Sequence, residues 1–91
     1  MAQINVDPQK LREFAGRLNR FAAQVDEHTA AIKSNITRLG DTWRDQEFER
    51  FVNEFALAQH YLTQFSEEAR RNVPLLERDA EKIEEFLRMR P

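Results

Sequence analysis

Apolar residues recur along this chain with the spacing of two long amphipathic helices. Leu11, Leu18, Val25, Ile32 and Leu39 repeat every seven residues, Phe14 and Phe21 follow three positions on, and Ala15, Ala22 and Ile36 lie beside them. In heptad letters the leucine line is a, the phenylalanine line d and the alanine line e. Asp7 before Pro8 marks the start, because the carboxylate accepts first-turn amides and the fixed φ of proline suits the first helical position. Gly16 costs about 1 kcal/mol against alanine but does not break the run. A helix over residues 8–39 is predicted.

The pattern stops at Gly40-Asp41-Thr42, read as a three-residue turn. Glycine suits a left-handed C′ position there, and Asp41 or Thr42 can cap the next helix. The same heptad then resumes, with Phe48, Phe55, Leu62, Ala69, Leu76 and Ile83 on line a and Phe51, Ala58, Phe65 and Phe86 on line d. A second helix over 43–88 is predicted. Its apolar lines keep their phase across Pro74, whose ring clashes with the carbonyl four residues back, so a kink near Arg71 to Val73 is expected instead of a break.

Folding the helices antiparallel about residues 40–42 sets Leu18 opposite Phe65, Phe21 opposite Leu62 and Val25 opposite Ala58. In that register the second helix outruns the first beyond Pro74, and Leu75 to Pro91 overhangs with Leu76, Ile83 and Phe86 uncovered. The apolar stripes span a, d and e, whereas a two-helix seam needs two lines. Small domains lacking disulfides or metal commonly make up a thin core by association. The expected architecture is all-α, one antiparallel hairpin domain over 1–91, forming a four-helix bundle as a homodimer.

Composition narrows the possible roles. The chain has 91 residues, 33% charged, no cysteine, and a formal charge of −2. That charge lacks the basic excess of a nucleic-acid binder, and the cluster Lys10, Arg12, Arg17 and Arg20 has no exposed aromatic interleaved for base stacking. No apolar run is long enough to span a bilayer, the polar faces mix both signs, and Met1 to Pro8 has no signal-peptide pattern. The expected location is cytoplasmic, or outside the cell without a cleaved signal. Within the first helix six basic residues face three acidic ones, whereas residues 42–74 carry four basic and six acidic. The arms attract weakly, at about 0–1 kcal/mol per exposed pair.

Candidate chemistry is sparse. His28 lies on line d, where it reads as a polar register device or a pH-sensitive interface residue. His60 lies about five residues along the axis from it, too far for shared metal ligation. Asn35 and Asn72 interrupt line d as solvated bundle ends or as register control at an interface. Glu67-Glu68 and Glu84-Glu85 fall on solvated faces, Ser34 and Ser66 lack a triad arrangement, and no phosphate loop or metalloprotease motif occurs. No catalytic residue, cofactor or metal ligand is assigned.

Trp43 stands at the corner in Leu39-Gly40-Asp41-Thr42-Trp43-Arg44-Asp45. A chain of this length with two long helices and a corner tryptophan resembles the small Trp-X-Gly proteins of type VII secretion, the early-secreted-antigen-like family. The triplet here is Trp43-Arg44-Asp45, similar to the Trp-X-Asp form of divergent members. The Arg-rich base usage also resembles Gram-negative offshoots. The resemblance implies a hairpin that pairs into an antiparallel four-helix dimer, homo or hetero, many members being exported uncleaved as substrates, adaptors or carriers for toxins. It implies that Trp43 packs on the partner's helix end. The family's second signal, a tyrosine followed four residues on by an acid after the second helix, is absent, because Tyr61 lies within that helix and is followed by Phe65. That omission favours a hetero-partner carrying the signal or an offshoot independent of the machine.

The expected function is non-enzymatic protein interaction by a small secretion-associated partner or adaptor. The alternative is a cytoplasmic dimeric scaffold or regulatory coiled coil. The partner is a second copy, or else a related hairpin or toxin domain. The candidate interface comprises Trp43, Asp45, Phe48, Phe51, Phe55, Phe14, Phe21, His28, Leu62, Phe65, Leu76, Ile83 and Phe86.

Overall fold

The computed structural model describes residues 6–90 and contains two helices, α1 (Pro8–Leu39) and α2 (Gln46–Arg88), folded back on each other as a hairpin. Asp7 caps α1 as its sequence implies, its carboxylate accepting from Gln9 N at 2.9 Å with Pro8 in the first turn. The hairpin is a rod of 71 × 22 × 15 Å with a radius of gyration of 20.5 Å. A compact domain of this length would have a radius near 12 Å.

The corner differs from its sequence reading. α1 ends as expected, but the turn takes six residues, 40–45, and Asp45 is the cap of α2, accepting from Phe48 N at 3.0 Å. Asp41 and Thr42 instead continue the winding of the helix end, their amides bonding to the carbonyls of Arg38 and Leu39 at 3.1 Å. Gly40 has φ −64° in the right-handed region, so no left-handed residue is needed. Its small size matters instead: a Cβ there would come within 3.0 Å of the Phe48 ring. Glu47 and Glu49 in the first turn of α2 and Arg38 in the last turn of α1 complement the helix dipoles. α2 runs without a break through Pro74.

The longer turn shifts the register. Phe21 meets Phe65, three residues beyond the Leu62 expected, with ring centroids 5.8 Å apart and planes at 82°. Further from the corner, Arg12 reaches Glu84 with Nη2 at 2.6 Å from Oε1 and Nε at 3.3 Å from Oε2. Leu75 onward therefore does not overhang. It lies along the N-terminal half of α1, with Ala80 fully buried and Leu76 and Ile83 half-buried. Pro91 falls outside the described residues.

The seam also uses different lines from the a and d of a simple two-helix pair. Among the described residues the fully buried side chains are Ala15, Ala22, Ser66, Ala69 and Ala80. All but Ala69 belong to line e, and Ala69 is on line a. Half-buried Leu11, Leu18 and Val25 from α1 and Phe48, Phe55, Leu76 and Ile83 from α2 add further members of line a. Small residues on e let the backbones approach closely, and a phenylalanine on d is too bulky for that gap. The helices therefore rotate line d out of the seam. The side chains fully enclosed in the seam are all small, and the larger ones beside them stay half-buried.

Candidate protein-interaction face

Because the seam takes lines a and e, line d of both helices emerges on one broad side of the hairpin. Phe14, Phe21, Phe51, Phe65 and Phe86 all lie there, each between 44 and 53% exposed. The edge-to-face contact of Phe21 with Phe65 shows that the two d lines share this side. Ile32, Leu39 and Leu62, exposed members of line a, border the ridge, and Leu57, Tyr61 and Leu75 widen it along α2. A contiguous exposed apolar face of this length is a feature that commonly accompanies interaction surfaces.

The opposite side is polar and carries side-chain bonds that cross between the helices. The Asp26 carboxylate accepts from Ser66 Oγ at 2.7 Å and from Arg70 Nη2 at 2.5 Å. These bonds, that from Ser66 foremost, hold the Asp26 carboxyl below the usual carboxylate range. Glu84 is likewise lowered by its bond from Arg12, and the same bond raises the Arg12 guanidinium. Both ion pairs are more than a third exposed, so they steer register more than they add stability. A shallow groove between the helices on this side, nearer the corner, is lined by Asp26, Thr29, Lys33, Thr37, Gln59 and Thr63.

At the corner, Trp43 is half-buried and lies on Phe48, with ring centroids 5.2 Å apart. Its amide donates to Leu39 O at 2.9 Å, and Arg44 Nε donates to Gly40 O at 3.1 Å, so carbonyls at the end of α1 are satisfied. The Phe48 amide, and after it the Trp43 side chain, hold the Asp45 carboxyl below its ordinary range. Trp43 is thus anchored within its own chain.

The sequence-derived candidates fall into three places. Phe14, Phe21, Phe51, Leu62, Phe65, Phe86 and His28 lie exposed on or beside the ridge. Phe55, Leu76 and Ile83 are half-buried in the seam. Trp43, Asp45 and Phe48 form the corner. Ile32, Leu39, Leu57, Tyr61 and Leu75 were outside that set, although apolar residues flanking an apolar heptad line are a legible sign of a broader face. Asn35 accepts from Arg38 at 2.5 Å and Asn72 donates to Glu68 O at 2.8 Å, each a bond within its own helix. His60 rests against Tyr61, with centroids 5.9 Å apart, and is exposed. Among the described residues no cluster of three or more His, Asp or Glu is arranged to hold a metal ion, and no helix is long and apolar enough to cross a membrane.

The hairpin is similar to crystal structures of EsxB, described as a secreted protein, from Bacillus anthracis strain Sterne. The wild-type protein superposes with a TM-score of 0.81 at 22% identity, covering 93% of this chain and 99% of that one. Two single-substitution variants of it give TM-scores of 0.79 and 0.81 at 23% and 19% identity, covering 92% and 91% of this chain and 97% and 99% of theirs. No curated protein sequence matches the chain. Residues 3–86 match the profile of WXG100, proteins of 100 residues with WXG, and the chain belongs to that family.

Proposed function

We propose that this chain is a non-enzymatic interaction module that pairs with a second copy through its phenylalanine ridge, acting as a small secretion-associated partner or adaptor. The exposed ridge carries this reading. A compact monomer of this mass exposes about 5,500 Å², and this chain exposes 7584 Å². The excess of roughly 2,000 Å² is of the size that a permanent partner covers on each side. With a core of alanines and one serine, the hairpin gains stability by covering that face. Two hairpins stacked ridge to ridge make a four-helix bundle with lines a and d inside.

The test is the solution mass at low micromolar concentration by light scattering, with helicity and melting followed in parallel. A cooperative dimer near twice 10.8 kDa supports pairing with itself. A loosely melting monomer overturns it and directs attention to another hairpin or a toxin domain. The alternative, a scaffold that is not exported, draws on the position of Tyr61 in the middle of α2, four residues before Phe65. Accumulation of intact chain in culture medium, lost in Trp43→Ala, separates export from that alternative.

A further inference from the structure

We propose that the phenylalanine ridge carries its own complement: a second copy docks about a two-fold axis midway between Phe21 and His28, and each ring of the matched series meets a small or polar residue of line d in the partner. This rests on the reading of the hairpin as a module that pairs with itself, and adds the register and the residues that specify it. One chain exposes 7584 Å², against about 5,500 Å² for a compact chain of its mass, which leaves a face large enough for a second copy.

Line d is uneven along its length. On α1 it runs Phe14, Phe21, His28, Asn35, and on α2 it runs Phe51, Ala58, Phe65, Asn72. The four rings stand 44 to 53% exposed. Asn72 folds back to donate to Glu68 O at 2.8 Å, and Asn35 is tied to Arg38 of its own helix. The contact of Phe21 with Phe65 fixes the relative height of the two lines. One heptad towards the corner, His28 stands opposite Ala58, and one heptad further Asn35 stands opposite Phe51. One heptad the other way, Phe14 stands opposite Asn72. In steps of about 10 Å, the ridge therefore carries one ring, then two, then none, then one again.

Such a profile fits itself when reversed. A partner turned end for end lays α1 on α1 and α2 on α2. Phe21 then enters the dip over the partner's His28 and Phe65 the dip over the partner's Ala58, while Phe14 meets the partner's Asn35 and Phe51 the partner's Asn72. The midpoints between Phe21 and His28 on α1 and between Ala58 and Phe65 on α2 lie at the same height, so one axis serves both helices. Asp79 and Phe86 fall opposite the partner's corner and past it, outside the matched series. A partner running the same way lays α1 on α2 instead: Phe21 lands on the partner's Phe65, and His28 faces the partner's Ala58 across a gap. That arrangement brings Arg17 near Glu68 and Arg38 near Glu47, but exposed ion pairs contribute little. An overfilled layer beside an empty one costs more.

Exchanging a ring and its hole between copies tests the register. Ala58 is exposed, so Ala58→Phe should keep the helicity of the hairpin while filling the dip. Two filled dips in a dimer should weaken self-association by about 10- to 100-fold. Phe65→Ala leaves two holes and should weaken it by a similar factor. Mixed in equal amounts, the two variants are complementary, each ring again facing an alanine. A heterodimer within a few-fold of the wild-type affinity is expected, identified by its mass in native mass spectrometry and quantified by sedimentation. Phe65 also touches Phe21 in its own chain, so if Phe65→Ala loses helicity, Phe51→Ala mixed with Asn72→Phe gives the same readout one layer out. If the wild type pairs but Ala58→Phe pairs as tightly, or the mixture pairs no better than its components, the register is overturned and pairing stands. A wild type that stays monomeric refutes the pairing function and this inference with it.

Discussion

Replacing Phe21 by alanine tests the ridge where it is most central. The ring is 48% exposed in the hairpin, so about 100 Å² of aromatic surface remains for a partner to cover. At ~25 cal/mol per Å² that surface is worth about 2.5 kcal/mol per copy. A symmetric pair loses it twice, and incomplete coverage reduces the total to about 2–4 kcal/mol, a rise in dissociation constant of about 30- to 1,000-fold. The covered half of the ring contacts Phe65, so the isolated hairpin also loses some stability. Sedimentation equilibrium over a micromolar concentration series, with helicity recorded on each sample, separates the two losses. Phe14→Ala, 53% exposed and without that aromatic pair, should weaken association with less effect on folding. Leu57→Ala, on the outer flank of α2, should leave association nearly unchanged. If Phe21→Ala and Phe14→Ala pair as tightly as the wild type, the ridge is not the interface and the area reasoning fails.

Ala22 is fully buried between the helices, and Ala22→Leu should destabilise the hairpin by about 1–3 kcal/mol through overpacking, read as a lower denaturant midpoint. The two glycines should respond in opposite directions: Gly16→Ala, whose new Cβ would lie 3.5 Å from Arg20 Nη1, should stabilise by about 0.5–1 kcal/mol. Gly40→Ala should lower the melting temperature, because the Phe48 ring it would press at 3.0 Å is held from behind by Trp43. Asp26 and Glu84 are lowered in the folded state, so the stability they add is present above the usual carboxylate range and is lost as pH falls through their depressed values. Acid melts should show this loss at low salt, with Arg70→Ala and Arg12→Ala flattening it; equal acid sensitivity in those variants would dismiss the ion pairs.

The two helices and the start at Asp7-Pro8 were legible because a long heptad repeat with a cap is strong local information. The side of each helix that turns inward was not. Lines a, d and e are all apolar, and the choice of e over d depends on how closely two backbones can approach, which only the meeting of Ala15 and Ala22 with Ser66, Ala69 and Ala80 decides. Register failed for a related reason. Gly40, Asp41 and Thr42 are all good turn or cap residues, whereas Asp45 wins because its carboxylate accepts the Phe48 amide. Moving the cap moved every partner along α2, from Phe65 to Glu84. The polar ties of Asp26 with Ser66 and Arg70 were hidden by the same error, since the residues meet only in the shifted register. The ridge itself was largely visible as repeating phenylalanines, and its exposure follows from the seam that excluded them.

That division of labour has an evolutionary consequence. Holding the hairpin closed falls mainly to small residues on line e, and in the pairing proposed above meeting a partner falls to phenylalanines on line d. Substitutions at Phe14, Phe51 or Phe86 can change the shape offered to another chain without repacking the residues that keep α1 against α2. Partner preference is therefore free to drift among descendants of such a hairpin while its scaffold stays the same, and a duplicated copy can diverge into a dedicated mate by changing a handful of rings.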